Sequence, residues 1–185
     1  MPVKVNEKKL YESVDAAANI AREALRAVAK EAVETLVGAS PVWSGSYLAS
    51  HRVAVGETTP VITEGPTNMQ KYSNIDTGGI QWGNFLPNRL SDVESQALQM
   101  QVHAKLDQQI DSGINMLPNG IGVVVIGNSI DHADDVERGN VLLNVPIYAV
   151  YHATIWHIRT FARQITAGIK QKIYLMGTFG KGKIR

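Results

Sequence analysis

The chain of 185 residues contains no cysteine. That excludes disulfide frameworks and thiol chemistry, and leaves any zinc site to histidine and carboxylates alone. Net charge is also nearly absent: 18 Lys and Arg against 17 Asp and Glu give +1, so no global attraction to nucleic acid or to a membrane surface is implied. No stretch approaches the ~20 apolar residues of a membrane span. The opening residues, with Lys4, Glu7, Lys8 and Lys9, lack the apolar run of a secretory leader. The expectation is a protein that is soluble when made and has no membrane partner. A phosphate-binding glycine loop with its lysine is missing. So is a nucleophile elbow, because Trp43-Ser-Gly-Ser-Tyr47 and Gly127-Asn-Ser-Ile-Asp131 both lack the flanking glycine pair that its sharp turn requires. These absences point away from an enzyme, with no catalytic residue and no cofactor expected.

The five histidines are the candidates for metal ligands or bases. His152 and His157 lie five apart, whereas residues three or four apart share a helix face, so joint ligation is not expected. His132 sits beside Asp131, Asp134, Asp135 and Glu137, a group able in principle to hold a cation or shift a histidine; a solvated turn is the preferred reading. His51, His132, His152 and His157 are therefore expected to serve neither metal binding nor catalysis.

A chain of this length fits one domain and hides roughly 70% of the surface its unfolded form exposes. From Glu7 to about Val37, the residues Leu10, Val14, Ala17, Ala21, Leu25, Val28, Ala32 and Leu36 step by three or four, which predicts a long amphipathic helix. Asn6 is placed to cap its start and Gly38 to end it in the left-handed conformation. Its length of ~45 Å suits either a surface helix over its own sheet or one that partly packs on a neighbouring subunit. Leu48, Ser50 and Arg52 alternate with Ala49, His51 and Val53, which reads as a strand near 48–56.

Residues 57–90 are punctuated by Pro60, Gly65, Pro66, Gly78, Gly79, Gly83 and Pro87, and read as an inserted loop. Its apolar residues, among them Trp82, Phe85 and Leu86, either close over the core or form an interface with another subunit or partner. Ser91 and Glu94 have capping-box spacing, opening a helix over 92–111 with Val93, Ala97, Met100 and Ala104 on one side and an end before Gly113. Ile121 to Ile126 is β-branched and predicts a strand near 121–127, buried on both faces. Pro146 suits the first turn of a helix over 147–174 whose stripe is Tyr151, Ile155, Ile158, Ala162, Ile165 and Ile169. Gly177, Gly180 and Gly182 break into a mobile basic tail, 177–185. The expected fold is α+β: long N- and C-terminal helices and a middle helix on a small, mostly antiparallel sheet. All of it belongs to one domain over 1–176.

Two separated segments stand out: Pro41-Val-Trp-Ser-Gly-Ser-Tyr-Leu-Ala-Ser-His-Arg-Val-Ala-Val-Gly56 and Gly127-Asn-Ser-Ile-Asp-His-Ala-Asp-Asp-Val-Glu-Arg-Gly139. Together they resemble the paired signatures of the tail-completion or neck proteins of tailed bacteriophages, the minor tail protein Z-like family. Pro41, Val42, Gly45, Leu48, Ser50 and Val53 match the first signature, and Asn128, Ala133, Val136, Glu137 and Gly139 the second. Trp43 and Ser44 depart from the first, and Asp131 and His132 from the second.

The resemblance implies a structural virion protein at the head–tail junction. It would form a homo-oligomeric ring around the DNA channel, touch adjacent neck, connector and tail proteins, and reside in the host cytoplasm during assembly. Lys181, Lys183 and Arg185 would then be candidates to face the channel and make non-specific contact with packaged DNA, although basic residues there also simply favour the helix dipole and solubility. The alternatives are a nucleic-acid-binding module built on the basic end and the aromatic loop, and, behind it, a small hydrolase.

Overall fold

A computed structural model describes residues 7–42, 45–62, 90–118, 121–130, 133–139 and 147–179. In chain order these form α1 (Glu7–Ala39), α2 (Ser46–Ala49), β1 (His51–Gly56), α3 (Asp92–Asn115), β2 (Val123–Asn128), α4 (Ala133–Arg138) and α5 (Val150–Phe179). The described residues are mostly helical, with a two-stranded antiparallel sheet, an α+β fold.

Helix α1 is the spine. Lys30 reaches Asp111 and Arg22 reaches the Leu117 carbonyl, so α3 runs antiparallel to it. On another side Leu36 meets Val150 and Glu31 meets His157, so α5 also runs antiparallel. Having two partners explains why the buried residues Ala29, Val33 and Val37 lie beside the expected stripe and join Ala32 and Leu36 from it. A helix packed on two sides needs an apolar arc wider than one row. Toward its N-terminus, Val14 of that stripe is 52% exposed. Gly38 does not end the helix in a left-handed conformation. The helix runs on to Ala39, and Ser40 Oγ closes it by donating to the Leu36 carbonyl at 2.7 Å.

Helix α3 begins as expected: Ser91 Oγ accepts from the Glu94 amide, and the Glu94 carboxylate accepts from the Ser91 amide at 2.9 Å. The core face differs from the expected one. Leu98, Val102, Leu106, Ile110 and Ile114 are buried, whereas Val93, Met100 and Ala104 are exposed. Both rows have helical spacing, and the row of larger side chains removes more apolar area from water. The helix also passes through Gly113. A Cβ there would lie 2.6 Å from the Val55 side chain, so glycine lets β1 lie close against α3.

Pairing runs from His51 opposite Asn128 to Gly56 opposite Val123. Val53, Val55, Val124 and Ile126 face the cluster of α1 and α3. The predicted strand at 48–56 therefore starts three residues late. Leu48 and Ala49 sit in α2, with Leu48 fully buried, because left-handed Gly45 (φ 79°) starts a turn instead. The strand near 121–127 starts at Val123, and because Val123 is exposed and the rest only half-buried it is not buried on both faces. Helix α5 starts at Val150 rather than 147, and it continues past Gly177 to Phe179, so the break expected there does not occur.

Candidate functional site, the junction between the two motifs

The two motif segments, some eighty residues apart, meet in space. β1 and β2 bring the ends together, and the Ser50 carbonyl accepts from the Ser129 amide at 3.1 Å. Ser50 itself is fully buried and its hydroxyl donates to the Ser46 carbonyl at 2.8 Å. Asn128 fastens the corner. Its Nδ2 donates to the Tyr47 carbonyl at 2.8 Å and its Oδ1 accepts from the Ile130 amide at 3.0 Å.

Glu137 is the second fastener. Tyr47 Oη donates to its carboxylate at 2.7 Å, and the Tyr151 amide in the first turn of α5 donates to the same carboxylate at 3.1 and 3.2 Å. A carboxylate at a helix N-terminus satisfies amides that lack intrahelical partners and complements the positive end of the helix dipole. Val136 beside it is buried with Leu36, Tyr47 and Val150. Gly139, at φ 74°, adopts the left-handed backbone that lets the chain leave α4.

His51 sits at the centre with no exposed surface. Ser40 Oγ gives its one proton to Leu36, so it accepts from His51 Nε2 at 2.8 Å; Nδ1 is then the acceptor for Tyr151 Oη at 3.0 Å, with Asn128 Nδ2 at 3.3 Å. Tyr47 and Tyr151 set their rings edge-on to the imidazole, at centroid distances of 5.1 and 5.8 Å. Burial, and then the charge of Arg52, pushes the imidazole down to about 3, so it is neutral at pH 7. Burial also raises both phenols, each with help from the Glu137 carboxylate. Each polar group of this cluster is engaged by another, an arrangement that rigidifies a core.

All eleven motif positions lie among the described residues. Pro41 and Val42 are partly buried at the end of α1, Val53 faces α3, and Ala133 opens α4 with its amide on the Ile130 carbonyl. Sequence reasoning did not assign Ser40, Tyr47, His51 and Tyr151 to this cluster. The signal for His51 was present, since alternation put it on the same face as Val53, which points inward. The only local signal at Tyr151 is its place on the helical stripe. Trp82, Phe85, Leu86, Lys181, Lys183 and Arg185 lie outside the described residues, as do Asp131 and His132. Among the described residues, no group of three or more His, Asp or Glu is placed to hold a metal, and no helix is long and apolar enough to cross a membrane. The chain matches no family model, no curated protein and no solved structure.

Proposed function

We propose that this chain is a structural protein of a tailed-phage neck, completing the tail or joining it to the head as a homo-oligomeric ring around the DNA channel. The observation that supports it most is the meeting of the two resembling motifs in one buried junction, where Tyr47, His51, Asn128 and Glu137 bind one another and the backbone. Those residues act as joints between helix ends, with no catalytic role in this reading. The partners would be further copies of the chain and adjacent connector and tail proteins, in the virion and, during assembly, in the host cytoplasm. Negative-stain electron microscopy of the purified protein and of assembled particles tests this. A symmetric ring with a central hole, located at the head–tail junction by labelling, is expected. A protein missing from purified virions would overturn the reading.

One observation favours the second reading, a nucleic-acid-binding module. Helix α5 contains no Asp or Glu and exposes Arg159 and Arg163. Binding to duplex DNA that weakens steeply with salt, and is lost when both arginines are replaced, would favour it.

A further inference from the structure

Trp156 is 72% exposed in the middle of α5. His152, Arg159 and Arg163 are exposed at offsets of four, three and seven residues from it and share its outward face, opposite the face of Thr154, Ile158 and Ile165 that turns inward. Neither arginine has an ion pair among the described residues. A large aromatic flanked by arginines is the composition enriched at protein interfaces, where lysine is depleted.

The same molecule carries a complementary surface elsewhere. Between α1 and α5 lies an open groove of about 410 Å³, lined by Ile20, Ala24, Ala27, Ile165 and Gly168, with Glu23 at its side. Glu12, Glu23 and Glu34 recur every eleven residues, three turns, so they run along one side of α1, and all three are exposed. Glu12 and Glu34 have no ion pair among the described residues, nor has the exposed Asp15.

We infer that Trp156 of one copy seats in the α1–α5 groove of a second copy, with Arg159 and Arg163 against the acidic row of α1. A molecule cannot make this contact with itself. Gly168 in the groove lies twelve residues, about 18 Å, along α5 from Trp156, and the groove is lined by the side of α5 that faces away from Trp156. Each copy therefore offers one tryptophan patch and one groove on different surfaces, a head-to-tail contact that forms rings when its rotation closes. The inference deepens the ring reading above and rests on it for closure; the contact itself rests on the exposed tryptophan, the groove and the opposed charges.

Because the chain has no cysteine, engineered pairs report the contact without background. The full chain carrying both Arg159→Cys and Glu23→Cys is oxidised and run without reductant. A ladder of covalent dimers, trimers and higher species is expected, while either single variant alone gives no ladder. Adding Trp156→Ala to the double variant should cut the ladder at least about tenfold, as for an anchor residue, with unchanged helical circular dichroism. No ladder, or a ladder indifferent to Trp156, would overturn the contact, and so would Arg159→Cys alone dimerising as well as the double variant. DNA binding abolished by Arg159→Glu with the ladder absent would assign the arginines to nucleic acid instead. Rings seen without a ladder would sink the contact and leave the ring reading standing. A ladder from a protein missing from virions would do the reverse.

Discussion

The two ends of this molecule are built on different terms. Where α1 ends, α2, β1, α4 and the start of α5 converge on His51, and the side chains there are buried and bonded to one another. At the opposite end α1 extends past α3, whose last anchors reach Arg22 and Arg26, and the first half of α1 leaves Tyr11 and Val14 in water. Stability should therefore concentrate at the junction and in the α1–α3 core, and least in the far half of α1.

Truncation is the harshest way to break that contrast. Ile110 is fully buried among Val33, Leu106 and Ile114. Ile110→Ala should cost about 2–5 kcal/mol in denaturant unfolding, through lost transfer energy and the cavity left behind. Val14→Ala should stay within about 0.5 kcal/mol, the usual range for surface positions. Equal losses would show that the exposed half of α1 is as tightly held as the core.

The same contrast governs what the sequence made legible. Helices α1, α3 and α5 were readable because periodicity and the Ser91–Glu94 box are local signals. Their inward faces were harder. In α3 two rows of equal spacing competed, and only the position of α1 and β1 decides which row meets the core. The motif residues were found, but not the hub that joins them. His51, Ser40, Tyr151 and Glu137 come from four places in the chain. A hydrogen-bonded cluster of that kind has no spacing rule, since tertiary pairing alone brings its members together. Helix α2 was lost to the strand pattern because alternation over 48–53 outweighed the left-handed turn at Gly45.

A milder perturbation sharpens the comparison by pH. In the unfolded chain His51 titrates near 6.5, and in the folded chain its pKa is lowered to about 3. Between those values the unfolded state binds more protons, so stability is fully present above pH 6.5 and falls as pH drops toward 3. The slope attributable to this residue is on the order of 1 kcal/mol per pH unit. Urea midpoints measured from pH 7 to pH 4 should fall for the wild type. His51→Gln, weaker at pH 7, should lose less over that range, since its side chain does not titrate. Parallel slopes for the two proteins would mean that the histidine takes up its proton without disturbing the junction.

The smallest effect lies at the entrance to α5. Three described positions adopt left-handed backbone: Gly45 at φ 79°, before α2, Gly139 at φ 74°, after α4, and Ala149 at φ 49°, just before α5. Glycine meets no Cβ penalty in that region, whereas an L-residue does. Ala149 therefore carries strain that the capping of α5 by Glu137 holds in place, and Ala149 also accepts from the Ala153 amide at 2.9 Å. Ala149→Gly removes the penalty and leaves that carbonyl where it is. The extra freedom glycine brings to the unfolded chain offsets part of the gain, about 0.4–1 kcal/mol. Thermal unfolding should show Ala149→Gly neutral to slightly stabilising, by up to about 1 kcal/mol, against the roughly 1 kcal/mol loss that an ordinary alanine-to-glycine change inside a helix causes. A loss of that size at Ala149 would show that its methyl group is packed usefully at the junction and that the left-handed turn is not a source of strain.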